Sequence, residues 1–308
     1  MSLSQPWRIQ DMRPQNGILA VITGATGGIG YQTALALAAA GADVVIAARS
    51  REKAHGAMAR IARQVPDARL RFEELDLATL ESVRAFAARV ASQHRSLDLL
   101  INNAAVMTPP RRLLTPDGFE IQFGTNYLSH FALTGLLLPV LQRARGPRVV
   151  TLSSIAARSG AIDFGNLYSE KSYKPMVAYA QSKLACLLFA FELQRRSQAG
   201  GWGLTSIAAH PGISRTDLLY NGAGRTSAAG LARRFLWFLF QPAAQGALPG
   251  LFAATSPEAL PGHYYGPAKL GETRGHPKSA TPPRQSLDTT TAARLWVVSE
   301  QLTGVHFP

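Results

Sequence analysis

Cysteine is almost absent: Cys186 stands alone among 308 residues, which excludes an intrachain disulfide framework. The seven histidines are dispersed, with no H-x-x-x-H pair, so no metal-ligand spacing is present. Charge is sparse as well, at 17% of residues against 46% hydrophobic, a balance that excludes a disordered chain. A long unbroken apolar run is also missing. The longest uncharged stretch, Ile121 to Gln142, is interrupted by Gln122, Asn126 and His130 and reads as a buried helix rather than a membrane span. Acidic residues are few, 19 against 32 basic ones, for a net charge of +13. The arginines are scattered singly or in pairs and no nucleic-acid-binding motif accompanies them. A diffuse positive field suits anionic cofactors or surfaces better than nucleic acid. Met1 to Gly17 is polar and without an apolar core, so no secretory signal is expected, and the lone cysteine fits a reducing, cytoplasmic setting.

What is present is a regular alternation. Short apolar runs at Ile18–Thr23, Asp43–Ala48, Arg69–Leu75, Leu97–Ile101, Arg148–Leu152 and Leu204–Ala209 read as strands. Helix-length segments separate them at Tyr31–Ala40, Ser50–Gln64, Thr79–His94, Asp117–Ala144 and Val177–Ser197. Strand–helix alternation predicts the α/β class, as one Rossmann-type doubly wound parallel sheet with helices on both faces. We expect a short N-terminal extension over residues 1–16 and a single domain over 17–308. Gly271 to Pro283 is rich in Gly, Pro, Ser and Thr and reads as a surface loop within a C-terminal tail over 266–308. A last helix is expected over Asp288 to Leu302.

The first strand runs into Thr23-Gly24-Ala25-Thr26-Gly27-Gly28-Ile29-Gly30, which opens a helix. Glycines let a backbone approach a pyrophosphate closely, and the helix N-terminus offers unpaired N–H groups and a positive dipole end. The turn predicts a dinucleotide cradle. A nucleotide in such a sheet sits at the carboxyl ends of the strands. Asp43 opens the second strand and so lies at the opposite end, roughly 16 Å from Ala48. At the correct end stand Ala48, Arg49, Ser50 and Arg51, with no carboxylate to bind a ribose hydroxyl or repel a phosphate. An arginine there can grip a 2′-phosphate, which predicts NADP(H) in preference to NAD(H).

Tyr179 and Lys183 are four apart in a strong helical pattern and so share a face. A phenol titrates near 10, too high for acid–base work at neutral pH, and a nearby ammonium is expected to lower it. Spacing of this kind is common by itself. Here Ser153-Ser154 ends one strand, Asn102-Asn103-Ala104-Ala105 ends another, and Pro211-Gly212-Ile213-Ser214-Arg215-Thr216 follows a third. All three face one crevice, with Asn126 in the helix between.

On these motifs the sequence resembles the short-chain dehydrogenase/reductase family over residues 17–265, and more closely its retinol dehydrogenase branch. The stretch Phe164-Gly165-Asn166-Leu167 to Tyr173, with Ser182-Lys183-Leu184-Ala185 and His210-Pro211-Gly212, is of that type. The resemblance implies an oxidoreductase acting on CH–OH donors. Tyr179 would exchange a proton with the substrate oxygen. Lys183 would lower the Tyr179 pKa and hold the nicotinamide ribose, Ser154 would polarise the carbonyl, and Asn126 would anchor a water leading to Lys183. Asp76 and Leu77 would meet the adenine, and Asn103 and Ala104 the adenosine ribose. Gly24, Thr26, Gly28, Ile29, Gly30, Arg49 and Ser50 would hold the phosphates. Pro211 and Gly212 would form the turn whose Ile213, with Thr216, holds the carboxamide. Ser154 and Tyr179 are 25 positions apart, about twice the gap of the simplest members. The extra residues leave monomer and homodimer both open.

Residues 217–241 fall where the family places a substrate lid and include Arg233-Arg234-Phe235-Leu236-Trp237-Phe238-Leu239-Phe240. We read them first as a lid over a greasy pocket, then as a core helix, and last as an interfacial membrane contact. The first fits a hydrophobic aldehyde, ketone or alcohol. His210 reads as a packed strand-end residue. Two rival functions remain: a catalytically idle NADP(H) sensor, and a sugar-nucleotide epimerase or dehydratase, which shares the Tyr–Lys spacing.

Overall fold

The computed structural model describes residues 6–214 and 241–308. Its centre is an eight-stranded sheet in the order β3-β2-β1-β4-β5-β6-β7-β8. The strands are β1 Leu19–Thr23, β2 Asp43–Ala48, β3 Arg69–Glu74, β4 Leu99–Asn102, β5 Arg148–Leu152, β6 Thr205–Ala209, β7 Tyr264–Lys269 and β8 Arg274–Ser279. All neighbours pair in parallel except β7 with β8. The order reverses between β1 and β4, which opens a crevice at their carboxyl ends.

The central strands are apolar throughout because helices cover both faces. Val21, Val45, Leu100 and Val149 point to one side, into a cluster with Phe86, Phe131, Phe189 and Trp296. Their neighbours Ile22, Ile46, Ile101 and Val150 point to the other, with Leu37, Ile61, Phe252 and Trp7. That is the period-2 alternation of a pleated strand. The first cluster is closed by α3 Leu80–Gln93, α5 Ser129–Leu141, α6 Pro175–Gly200 and α8 Thr289–Thr303. The second is closed by α1 Gly28–Ala39, α2 Arg51–Gln64 and α7 Ala243–Thr255. Helix α6 is long and apolar enough to cross a membrane by composition, yet it lies largely buried inside the fold.

Three expectations need correction. The helix anticipated over Asp117–Ala144 starts at a single turn, α4 Ile121–Phe123, passes through a π-helical turn Gly124–Leu128, and continues as α5 to Leu141. Buried Glu120 sets the start: its carboxylate accepts the Phe123 N–H at 2.8 Å, as a helix cap does. Within Gly271–Pro283, Arg274–Ser279 form strand β8, paired antiparallel to β7. Finally, 266–308 is no loose tail, because α8, Val305 and Phe307 close the first cluster. At the other terminus, Trp7 is buried edge-on against Phe252.

Candidate active site

The glycine turn leaves β1 and enters α1 with no side chain capping the helix and no acidic residue in its first turn, so its N–H groups and dipole stand available to an anion. Gly24 takes φ +68°, and a Cβ there would come within 2.9 Å of the Ala104 Cβ. A Cβ on Gly30 would lie 2.5 Å from Asn103 Nδ2 and 2.7 Å from the Gly24 oxygen. Arg60 stacks over the Tyr31 ring and donates to the Thr26 carbonyl at 3.1 Å, bracing the turn.

Beside it lies a cavity of about 590 Å³ lined by Gly24, Thr26, Arg49, Ser50, Asp76, Leu77 and Ala104 among the expected residues. Ser50 caps α2 by accepting the Lys53 N–H, and Arg49 is exposed at the cavity edge. Asp43 lies at the opposite end of β2, ion-paired with Arg69. One Asp76 oxygen accepts the Ala78 N–H at 3.0 Å. Asn103 does not line the cavity; its side chain donates to the Thr23 carbonyl at 2.7 Å and ties the end of β4 to β1. Gly28, Ile29 and Gly30 shape the turn rather than line this cavity, and Ile29 approaches Ser214 beside Gly246. Sequence reasoning missed Lys53, Met107, Pro109, Leu113, Ile121 and Thr125 on the wall. The Thr125 hydroxyl is buried there with no hydrogen-bond partner among the described residues.

These features fit a dinucleotide cofactor. The bare helix end would meet a pyrophosphate, and the buried Thr125 hydroxyl would offer a hydrogen bond to the bound group.

The reacting end lies one strand further along. Ser154 begins a 3₁₀ turn, Ile155–Ser159, and its hydroxyl accepts the Ala156 N–H at 3.2 Å. The Tyr179 ring, buried near the start of α6, brings its hydroxyl beside the same serine. Lys183, one turn on, is buried and donates to the Leu152 carbonyl at 3.0 Å. Serine, tyrosine and lysine therefore converge at the end of β5. Their electrostatics differ from expectation. Burial pushes the Tyr179 phenol up to about 12, and the neighbouring Ser154 hydroxyl only partly offsets this. The Lys183 amine donates to the β5 carbonyl, and burial lowers its own pKa.

Asn126 sits inside the π-helical turn. Its side chain accepts the Val106 N–H at 2.8 Å and donates to the Val106 carbonyl at 2.9 Å and the Ser182 hydroxyl at 3.0 Å. Its carbonyl meets His130 Nδ1 at 2.9 Å and accepts from the Cys186 thiol at 3.2 Å. On these bonds Asn126 joins the end of β4 to helix α6. Pro211, Gly212 and Ile213 follow β6, and the Ile213 N–H donates to Thr273 in the β7–β8 turn. Thr216 and the expected lid, 217–240, lie outside the described residues; Gln241 is buried and donates to the Pro211 carbonyl at 2.6 Å. Tyr264 was also missed: it is buried, beside Ser153.

Residues 19–224 match the family model for short chain dehydrogenases. Mouse retinol dehydrogenase 13 is 40% identical over 294 residues, covering 94% of this chain and 84% of that protein. Mouse polyprenol dehydrogenase is 40% identical over 298 residues, covering 94% and 85%. A solved structure of a Mycobacterium paratuberculosis protein superposes with a TM-score of 0.81 at 39% identity, over 99% of this chain and all of that one. A Burkholderia cenocepacia short chain dehydrogenase, solved in complex with NADP, has a TM-score of 0.63 at 27% identity, covering 82% and 96%. With the site geometry, these likenesses place the chain in the short-chain dehydrogenase/reductase family, as an oxidoreductase of its retinol dehydrogenase-like branch.

Proposed function

We propose that this protein is an NADP(H)-dependent reductase of hydrophobic aldehydes or ketones, acting in the direction of the alcohol. The observation that carries the reading is the convergence of Ser154, buried Tyr179 and buried Lys183 at the carboxyl end of β5. The cofactor, when bound, supplies the hydride. The chain supplies the proton and the electrostatics. A phenol pushed up to about 12 is protonated at neutral pH, which suits a proton donor to a carbonyl oxygen better than a base taking a proton from an alcohol. Ser154 orients the same oxygen, and Lys183 stands one helical turn away to meet ribose hydroxyls. Asn126 holds α6 against the end of β4.

NADP(H) is favoured because Arg49 and Lys53 line the cavity where β2 ends and Asp43 is remote and paired. A hydrophobic substrate is favoured by Met107, Pro109, Leu113 and Ile121 on the wall and by exposed Met176, Val177 and Ile213 on the segments leading to Tyr179 and following β6. Relatives named for retinol and polyprenol, both apolar alcohols, point the same way.

The test is a turnover assay with NADPH and NADH in parallel, over straight-chain aldehydes and ketones of graded length. We expect a lower KM for NADPH than for NADH, kcat/KM rising with chain length, and reduction that is flat in rate from pH 6 to 9. Tyr179→Phe should lower kcat by about 10²- to 10⁴-fold. NADPH binding without turnover on the whole panel overturns the enzyme reading in favour of a sensor. Equal KM values for the two cofactors overturn the preference.

A further inference from the structure

Two of the loops that meet at the reacting end come from non-adjacent parts of the chain. One is the 3₁₀ turn that begins at Ser154 and carries Arg158. The other is the turn after β6, His210 to Ile213. A third segment, the tip of the β7–β8 hairpin, reaches both. At this tip Glu272 takes φ +68° and Leu270 φ +50°, a left-handed backbone that non-glycine residues adopt only under constraint.

The constraint is visible in the bonds of one carboxylate. Glu272 Oε2 accepts from Arg158 Nη2 at 2.7 Å and from His210 Nε2 at 3.1 Å, and Oε1 accepts the Thr281 N–H at 2.9 Å. Arg158 Nη1 also donates to the Gly271 carbonyl at 3.1 Å. The histidine tautomer follows from its other nitrogen: Nδ1 accepts the Gly212 N–H at 3.2 Å, so the ring proton is on Nε2 and faces Glu272. One residue beyond, the Thr273 carbonyl accepts the Ile213 N–H at 2.8 Å.

The surfaces joined in this way have no slack. A Cβ on Gly212 would stand 2.3 Å from the Thr273 oxygen, and one on Gly266 would stand 1.9 Å from His210 Nε2. Both glycines permit contacts that any side chain would break. Gln285 adds a brace from below, its amide donating to the carbonyls of Ala157, Arg158 and Gly160.

We propose that Glu272 is a positioning residue: its carboxylate fixes the Ser154 turn relative to the Pro211–Ile213 turn, and so sets the geometry between proton donor, carbonyl and cofactor. This rests on the reading of Ser154 and Ile213 as parts of an NADP(H) site. Three donors converge on the carboxylate. A glutamine offers one acceptor oxygen and one N–H₂ group, so at least one of the three donors is left unpaired. The ionised form is maintained in place. Burial alone raises the carboxyl pKa, but the bonds from His210 and Thr281 and the charge of Arg158 outweigh it and hold it at about 2.

The test measures steady-state reduction, NADPH affinity by fluorescence, and thermal melting for wild type, Glu272→Gln, Glu272→Ala, Arg158→Gln and the double variant Glu272→Ala/Arg158→Gln. Loosening the joint by a fraction of an ångström predicts a kcat fall of about 10- to 100-fold in Glu272→Ala. Weaker NADPH binding should accompany it, with Glu272→Gln in between. The double variant should be no worse than the worse single one, as expected when two residues act through one contact. A lowered melting temperature with wild-type kcat and NADPH affinity in all variants overturns the proposal and leaves a purely structural carboxylate. Additive effects in the double variant overturn it too. Failure of the functional reading is separate: there the wild type itself shows no turnover, and NADPH affinity across the variants still decides whether Glu272 fixes the site.

Discussion

His130 shows how one buried side chain binds the two halves of the site together. Its Nδ1 lies 2.9 Å from the Asn126 carbonyl and its Nε2 lies 2.9 Å from the Thr23 hydroxyl. A carbonyl only accepts, so Nδ1 carries the proton and Nε2 is the acceptor. The Thr23 hydroxyl accepts the N–H groups of Asn103 and Ala104, each at 2.9 Å, and has one proton left to give to the histidine. The chain of bonds thus runs from the base of the glycine turn to the π-helical turn, and it needs a neutral imidazole. Burial, with a smaller contribution from the Lys183 charge, holds the His130 pKa at about 4 against the pull of the Asn126 carbonyl. An unfolded histidine titrates near 6.5. Between these values the unfolded chain takes up the proton and the folded one does not. His130 therefore contributes stability that is complete above about pH 6.5 and is lost as the pH falls through 4. The difference in urea-unfolding free energy between wild type and His130→Gln should shrink by on the order of 3 kcal/mol from pH 7 to pH 4. A pH-independent difference would mean that the ring is protonated in the fold or that the bond to Thr23 is not made.

At the scale of elements, the glycine turn makes the sharpest demand. Its last glycine lies where β1, β4 and α1 touch, and a methyl group at Gly30 meets Asn103 Nδ2 and two backbone atoms of the turn at 3.0 Å or less. The amide of Asn103 is itself fixed on Thr23, so neither neighbour gives way cheaply. Gly30→Ala should destabilise the fold by about 1–3 kcal/mol through overpacking and weaken NADPH binding by more than about tenfold; fluorescence titration and melting would check both. Unchanged affinity would show that the turn can re-form around the methyl. This element was legible in the sequence because a strand, a glycine run and a helix follow one another within a dozen residues. The same holds for Ser154, Tyr179 and Lys183, each placed by its position at a strand end or on a helix face. The π-helical turn was not legible, since a shift from i+4 to i+5 bonding leaves the apolar pattern of Ile121–Leu141 unchanged. Strands β7 and β8 were hidden by Pro267 and Pro277, which lie opposite each other in the ladder. Proline is tolerated there because β8 is an edge strand with a bulged register. Glu272 was hidden for another reason: its partners Arg158 and His210 are 114 and 62 positions away, and no local pattern reports bonds of that span. That burial raises the Tyr179 pKa was not legible either, because spacing says which face a side chain occupies and nothing of how dry that face is.

Across the whole molecule, the sheet separates two large apolar clusters, and the one bearing α6 is finished by the last part of the chain. Trp296 of α8 is fully buried, 5.0 Å from the Phe131 ring, 5.8 Å from Phe189 and 4.5 Å from Phe307. Arg196 of α6 lies over its face at 4.5 Å, and its indole N–H donates to Glu300 at 3.1 Å. Phe307 then folds back onto α5, where Gly135 leaves room: a Cβ there would stand 2.9 Å from the ring. The insert before α6 joins the same assembly, with Arg294 of α8 over Phe164 at 3.9 Å. A residue ringed by aromatics on three elements leaves a hole that cannot close by a small shift, since each neighbour is held by another. Trp296→Ala should therefore cost about 3–5 kcal/mol. The urea midpoint should fall with little change in slope, because the surface exposed on unfolding is nearly the same. Helices α5 and α6 carry Tyr179 and the support of Asn126, so activity per folded molecule should fall as well, by less than in Tyr179→Phe. A loss below about 1 kcal/mol would mean that α8 rests on the domain as a dispensable cover rather than as the closing side of its core.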